Sequence, residues 1–183
     1  MSLYDGCPTP SVINPIQVSG FDFKIAKIPD MSFWVKEATL PSISLSPANQ
    51  ETPFKTIPRV GDKPDFGNLS IRFMVDEKML NYKALFEWIT MTSFPRYHGQ
   101  VDEWRRKWDG AFNTQDTDTL LVSDATLTVK SMNSKNAGAY VFHSLWITDL
   151  GGITLSDEAT ETQYLYCDAT FAFEDFVFES VSA

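Results

Sequence analysis

The hydrophobic positions change their spacing within NLSIRFMVDEKMLNYKALFEWI, residues 68–89. In the first half, apolar and polar residues alternate, which is the two-residue period of a strand with one buried face. The alternating apolar positions are Leu69, Ile71, Phe73 and Val75. In the second half, apolar residues recur three and four positions apart, as in an amphipathic helix. These positions are Tyr82, Leu85, Phe86, Trp88 and Ile89.

The ends of the helix are marked by residues that start and stop helices. Asp76 stands where an N-cap residue is expected, and Glu77 adds negative charge to the first turn. Pro95 marks a stop shortly after the last apolar position. We therefore predict a helix over about residues 77–91, directly after a strand.

Alternation also predicts strands near both ends of the chain. Residues 20–28 and 33–40 are predicted to form a hairpin or meander around a turn at Pro29 and Asp30. Residues 123–132 and 139–148 predict a second hairpin. Thr126, Thr128 and Lys130 are predicted to lie on its exposed face.

The last predicted strand, residues 162–178, changes its phase near its end. One face carries Leu165, Cys167, Ala169, Phe171 and Phe173. After Glu174 and Asp175 the apolar positions shift to Phe176 and Phe178. Because a β-bulge inserts one extra residue, a bulge there is predicted.

Two segments fit neither period. Residues 41–67 contain five prolines, each of which removes a ladder donor, so this segment is predicted to be an extended arm paired outside the compact body.

Residues 93–119 form a second excursion, in which Trp104 and Trp108 are spaced for a short amphipathic helix. Paired tryptophans beside three basic residues can also stack bases, but neighbouring acids make the local charge neutral. We therefore favour a surface helix packed by its tryptophans, and docking on a neighbouring subunit is the function expected of it.

Composition limits the class of protein. With 183 residues, 43% of them hydrophobic, the chain is predicted to be a single domain spanning residues 1–183. Neither a signal peptide nor a membrane-spanning run of about 20 apolar residues is recognisable, so a protein that is not exported and has no membrane partner is expected. Cys7 and Cys167 lie far apart without a zinc-binding spacing, and both are predicted to be free thiols.

The net charge of −9 is concentrated in the C-terminal half. Residues 93–183 hold 14 of the 24 acidic residues but only 6 of the 15 basic ones. Such a balance disfavours a protein that grips nucleic acid phosphates. A solvated acidic surface is the simplest interpretation.

Candidate catalytic chemistry is sparse. The two histidines, His98 and His143, have no catalytic motif around them, and no P-loop, HExxH or GxSxG pattern occurs. The acids Asp157, Glu158 and Glu161 lack the spacing and central glycine of a calcium loop. We therefore predict a non-enzymatic protein without cofactor or metal.

The order of elements resembles that of the tail tube proteins of contractile-tailed bacteriophages, including the tube-like proteins that initiate the tube at the baseplate. The resemblance is carried by VDEKMLNYKALFEWI after a strand, by the following hairpin, and by the ending LWITDLGGITLS…TETQYLYCDATFAFEDFVF. The early KIPDMSFWVKEATLPSISLSP also resembles the family's first strands. The resemblance extends from about residue 21 to residue 178.

The resemblance implies a mainly β fold with one packed α-helix, a β-sandwich or barrel-like domain that assembles into a hexameric ring. Rings would stack through the arm at 41–67 into a virion tail tube, assembled in the host cytoplasm, through which DNA is ejected. Expected partners are further copies of the chain and the tail sheath, tape measure and baseplate proteins. The position in the tail stays open between the tube body, the baseplate initiator and the terminator layer.

Two groups of residues are candidates for these roles. Ring or subunit contacts are expected at Ile43, Leu45, Phe54, Ile57, Trp104 and Trp108. The channel lining is expected at Thr126, Thr128, Asp168, Thr170 and Glu174, where acidic and polar side chains would let DNA slide. Two alternatives remain: the tube of a secretion or contractile injection system, and, from another class, a carbohydrate-binding β-sandwich favoured by the tryptophans and tyrosines.

Overall fold

The computed structural model of the chain describes residues 20–93, 121–130, 136–155 and 164–179, together with Ile16 and Gly99. The strands are β1 Phe21–Ile25, β2 Val35–Thr39, β3 Ile43–Leu45, β4 Ala48–Glu51, β5 Thr56–Arg59, β6 Pro64–Phe66, β7 Leu69–Met74, β8 Ser123–Lys130, β9 Asn136–Leu150, β10 Tyr166–Ala172 and β11 Asp175–Glu179. A 3-10 helix at Pro29–Phe33 and the helix α1 at Leu80–Ser93 complete these elements.

Seven strands form one antiparallel sheet in the order β1-β8-β9-β10-β7-β2, with β11 also paired to β9. The 15-residue β9 pairs with β8 and β11 along its first part and with β10 along its last. At the change of partners, Ser144 has a φ of 52°, a left-handed value that is uncommon for a residue other than glycine. The Ser144 N–H donates to Asp124 Oδ1 at 3.2 Å, which holds this irregularity against β8.

The inward side of the sheet and one side of α1 enclose a single hydrophobic core. Its largest fully buried side chains include Phe23, Phe73, Phe142, Phe171, Leu85 and Trp88. The predicted buried faces of β7 and β10 are confirmed, since Leu69, Ile71, Phe73, Cys167, Ala169 and Phe171 all belong to this core. The predicted class, mainly β with a packed helix, is therefore correct, and the sheet is open because β1 and β2 end it without pairing to each other.

The helix α1 follows β7 as predicted but begins at Leu80, later than expected. Asp76 caps a turn instead of the helix, because its Oδ1 accepts the Lys78 N–H at 3.2 Å and its carbonyl accepts the Met79 N–H at 2.8 Å. Met79, with a φ of 53°, leaves this turn in a left-handed conformation. The predicted placement of Phe86 on the buried side is wrong: Asn81, Leu85, Trp88 and Met91 face the core.

Asn81 ties the end of β7 to the start of α1. Its Nδ2 donates to the Met74 carbonyl at 2.8 Å, and its Oδ1 accepts the N–H groups of Asp76 at 3.2 Å and Tyr82 at 2.8 Å. The side chain is buried, so these bonds replace lost bonds to water.

We expect Asn81→Ala to lower the free energy of unfolding by about 1–3 kcal/mol, because buried backbone groups lose their partners. Urea denaturation of dilute protein, followed by far-ultraviolet circular dichroism, measures this loss. The control is Ser93→Ala at the exposed end of the same helix, for which a change within about 0.5 kcal/mol is expected. Equal stability of the two variants would contradict the role of Asn81.

The predicted hairpin of the first two strands is wrong. β1 pairs with β8, with Phe23 opposite Leu127, whereas β2 pairs with β7, with Ala38 opposite Ile71. The intervening 3-10 helix carries the chain from one end of the sheet to the other. The hairpin predicted later in the chain is confirmed as β8 and β9.

The predicted bulge near the C-terminal end is replaced by a break in the strand. β10 ends at Ala172 and β11 begins at Asp175, and the two strands pair with different parts of β9. The Glu174 N–H donates to the His143 carbonyl at 3.2 Å between them. The predicted change of phase is correct for Phe176, which packs against Phe142 and Phe173 at 5.6 and 5.7 Å between ring centroids, and wrong for Phe178, which is exposed.

Residues 41–67 form an arm of two successive antiparallel ladders. β3 pairs with β6 near the body, and β4 pairs with β5 farther out. The prediction that the arm would find its strand partners only in the assembly is therefore wrong. The prolines are accommodated because two-stranded ladders have outer edges on which a missing N–H costs nothing.

Candidate assembly surfaces

The arm is anchored at its base and exposed at its far end. At the base, Phe66 stacks on Phe173 at 6.1 Å and on Phe176 at 5.5 Å, and the Gly67 N–H donates to the Ser42 carbonyl at 2.8 Å. Of the predicted contact residues, Ile43 and Leu45 are exposed on β3, and Ile57 is half-buried on β5. The anchored base and apolar outer residues suit the arm to contacts beyond its own subunit.

A tight turn at the tip presents Phe54. The Thr52 N–H donates to the Lys55 carbonyl at 3.2 Å, and the Lys55 N–H donates to Thr52 Oγ1 at 3.2 Å. The Phe54 side chain is 97% exposed. The tip thus holds a large apolar ring in water, at a position set by the hydrogen bonds around it.

A groove lies between the 3-10 helix and the first turn of α1. Its volume is about 520 Å³, and its lining includes Met31, Phe33, Trp34, Leu80 and Ala84. Phe33 is 74% exposed and packs edge-on against Trp34, with 5.1 Å between ring centroids. We refer to this feature as the 3-10/α1 groove; the sequence pattern gave no signal for it.

The five candidate channel residues lie at three places on the body. Thr126 and Thr128 are half-buried on the outward side of β8, opposite Lys24 and Asp22 of β1. Asp168 and Thr170 lie on the outward side of β10, opposite Arg72 and Ser70 of β7. Glu174 is exposed at the break between β10 and β11. The structure thus places the two threonines of β8 and the pair on β10 on separate stretches of the sheet's outward side.

Arg72 is a surface residue that the sequence analysis did not single out. Its Nε lies 3.8 Å from Asp168 Oδ1, its guanidinium lies 5.2 Å from the Tyr166 ring, and Glu37 of β2 stands opposite it. Alternation with Ile71 and Phe73 already predicted an outward side chain at this position. The surrounding carboxylates balance its charge.

The other two predicted contact residues, Trp104 and Trp108, lie outside the described residues, as do His98 and most of the excursion at 93–119. Within the described ranges, acids, histidines and cysteines form no group of three that could hold a metal ion. No helix in the same part of the chain is long and apolar enough to cross a membrane.

Cys167 is buried in β10 with its Sγ 3.3 Å from the Gly151 carbonyl. Burial, followed by the negative charges of Asp168 and Asp149, raises the pKa of Cys167 to about 11. Because the thiolate is the reactive form, the folded protein keeps this thiol inert near neutral pH.

In a Cys7→Ser background, we expect iodoacetamide at pH 7.5 to modify Cys167 only after unfolding in guanidinium. Mass spectrometry of the intact chain gives the extent of labelling. Adding Gly152→Cys provides an accessible control thiol, since nothing lies within 4 Å of a Cβ built there. Labelling of Cys167 in the folded protein as fast as at the control position would contradict the burial.

Comparison with known families identifies the family to which the chain belongs. The family model for phage tail tube proteins matches residues 7–179. The chain belongs to the phage tail tube protein family. No curated protein matches it in sequence. The resemblance inferred from the element order is thereby confirmed, and, as a member of this family, the chain has a structural role in a tube.

Solved structures share the fold at low sequence identity. A chain of the PVC sheath-tube complex of an extracellular contractile injection system is 12% identical with a TM-score of 0.57, covering 91% of this chain and 93% of that one. A chain of the anti-feeding prophage baseplate is 10% identical with a TM-score of 0.56, covering 94% and 100%. A chain of the anti-feeding prophage tube terminating cap is 11% identical with a TM-score of 0.57, covering 99% and 100%.

Proposed function

We propose that six copies of the tail tube protein close into a ring and that rings stack into a virion tail tube that conducts DNA during ejection. The self-paired arm carries this proposal, because it projects apolar side chains that the subunit itself leaves in water. The edge strands support it further. Among the described strands, β1 and β2 each have one unpaired edge, and a ring would cover such edges.

Sixfold symmetry is supported by analogy with the fold's relatives. The anti-feeding prophage baseplate that contains a similar chain is described as 6-fold symmetrised, and another similar chain comes from a sheath-tube complex. On this analogy, the partners of the chain are its own copies and the sheath, tape measure and baseplate proteins. Trp104 and Trp108 remain proposed contact residues for such neighbours.

For the channel, we propose that Thr126, Thr128, Asp168, Thr170 and Glu174 face the passing DNA. Polar and acidic side chains repel or release phosphates, so the polymer would slide without being held. Two cations on the same side of the sheet stand beside carboxylates: Lys24 Nζ lies 3.4 Å from Asp22 Oδ2, and Arg72 lies beside Asp168. Pairing of this kind weakens their hold on phosphate.

Negative-stain electron microscopy of the purified full chain, combined with its solution mass at rising concentration, tests the proposal. Rings or stacked tubes with a central hole and six subunits per ring are the expected result. A particle that remains monomeric at the highest concentration would contradict self-assembly. Rings with another subunit number would retain the tube and overturn the sixfold symmetry.

A second candidate is the tube of a contractile injection system, favoured by the likeness to the PVC and anti-feeding prophage chains. Both candidates use the same ring and channel, so the subunit geometry serves either one. Imaging of native particles that contain the protein separates them. A DNA-filled capsid on the tube supports the phage tail, and a tube that ends in a cap without a capsid supports the injection system.

A further inference from the structure

One subunit carries both a projecting aromatic ring at the arm tip and an open cavity at the 3-10/α1 groove. The tip carries a single projecting ring, Phe54, and the groove has a volume of about 520 Å³, within the range of roughly 300–1,000 Å³ of ligand pockets. Because Phe54 is 97% exposed, it does not occupy the groove of its own subunit. The groove is therefore free of the arm tip that belongs to the same subunit.

We propose that the arm tip of one subunit docks into the 3-10/α1 groove of a second copy of this chain, with Phe54 as the inserted side chain. This docking rests on the proposed function, because it names the surface that receives the arm when subunits assemble. In this proposal the occupant of the groove is another copy of the chain, and not a small molecule or a sheath protein.

The lining of the groove suits an aromatic ring. Phe33, Trp34 and Leu80 provide apolar walls that are accessible, and the fully buried Met31 supports them from the core side. Inserted aromatic rings prefer edge-on or offset contacts with other rings, and the Phe33–Trp34 pair offers both faces and edges. Docking would remove apolar surface of both partners from water, which is the main driving force for association.

The charges of the two surfaces are also complementary. The charged residues that line the groove, Asp30 and Asp76, are both acidic. Lys55 follows Phe54 directly at the tip, and its side chain is exposed. Insertion of Phe54 therefore brings a lysine towards two carboxylates, which orients the tip and disfavours insertion of an acidic segment.

The type of contact also explains how assembly continues beyond two subunits. The tip and the groove are different surfaces of the same chain, so the contact between them is heterologous and leaves one tip and one groove available at the ends of a pair. Such contacts continue into closed rings or open stacks instead of ending at a dimer. A tube requires this type of contact.

The first test compares the critical concentration for assembly of Phe54→Ala with that of Val60→Ala. Val60 is also on the arm and is 87% exposed, so it matches Phe54 in exposure without lying at the tip. We expect Phe54→Ala to raise the critical concentration at least about tenfold and Val60→Ala to leave it within about twofold. Equal effects of the two variants would overturn the docking.

The second test exchanges the charges. Lys55→Asp and Asp30→Lys are each expected to raise the critical concentration severalfold, and the double variant is expected to restore most of the loss. Circular dichroism verifies that each variant is folded. Additive losses in the double variant would show that these two side chains do not meet, and would overturn the proposed orientation.

The third test identifies the occupant of the groove by cross-linking. In a Cys7→Ser background, one population carries Pro53→Cys, next to Phe54 and exposed at the tip, and another carries Ser32→Cys, and the two are mixed before assembly and oxidised. A dimer that contains one chain of each kind is expected. A mixture of Pro53→Cys with Thr148→Cys, on the outward side of β9, serves as the control and should give little product.

The outcomes separate this proposal from the one on which it rests. Tubes that form without the cross-link overturn the docking and leave the tube function intact. A chain that yields neither tubes nor the cross-linked dimer at any concentration counts against both proposals.

Discussion

Trp88→Ala is expected to lower the free energy of unfolding by about 3–5 kcal/mol, the usual cost of removing a large buried aromatic side chain. Trp88 is fully buried on α1, and its ring centroid lies 6.0 Å from that of Phe171 on β10. Its Nε1–H donates to the Leu121 carbonyl at 2.9 Å, and Lys27 Nζ lies 5.2 Å from the ring centroid. The substitution therefore removes the packing between helix and sheet and one hydrogen bond.

The measurement is urea denaturation of dilute protein followed by circular dichroism. Since domains are stable by about 5–15 kcal/mol, the expected loss is a large share of the total. Phe86→Ala provides a matched control on the same helix: its ring is 51% exposed, and a change within about 0.5 kcal/mol is expected. A Trp88→Ala variant no less stable than Phe86→Ala would show that α1 does not hold the core together.

Gly61→Ala is expected to abolish tube formation while leaving the body folded. Gly61 lies between β5 and β6, where the chain passes from the outer ladder of the arm to the inner one. A Cβ at this position would overlap the carbonyl oxygen of Ser46 and lie 3.1 Å from its carbonyl carbon. Because these are backbone atoms of the segment that joins β3 to β4, the two sides of the arm must separate there and the tip must move.

The free energy of unfolding should change by less than about 0.5 kcal/mol, because every fully buried core residue lies outside the arm, which adds only the partly buried Phe66 at its base. Electron microscopy and sedimentation measure the tubes, and circular dichroism measures the fold. Gly152→Ala is the control: no heavy atom lies within 4 Å of the added methyl group, so folding and assembly should both be retained. Normal tubes from Gly61→Ala would contradict the role of the arm in assembly.

The two glycines also illustrate how far the sequence can be interpreted. Both lie in segments that the pattern assigns to turns or irregular structure, and nothing in the one-dimensional pattern distinguishes them. The distinction arises because Ser46 is brought opposite Gly61 by the pairing of the arm with itself. A residue's tolerance to substitution depends on such neighbours in space.

For the candidate site residues, the sequence predicted which side of the sheet each side chain faces, but not which residues of other strands lie beside it. Alternation places Asp168 and Thr170 opposite the buried side of β10, and the structure agrees. Their neighbours Arg72 and Glu37 come from β7 and β2, far away in sequence. Periodicity within one strand reports which side a residue faces but contains no information on which strand lies beside it.

By itself, the sequence determined the local elements: the alternating strands β7, β8 and β10, the helix after β7, the hairpin of β8 and β9, and, through the order of these elements, the family. These follow from periods of two and 3.6 residues, which are properties of neighbouring positions. Only the tertiary structure decided that β1 and β2 lie at opposite ends of the sheet, that Asn81 and not Asp76 joins β7 to α1, and that the arm pairs with itself. Each of these depends on which distant segments bury their surfaces together, and that choice is made by the packing of the whole core.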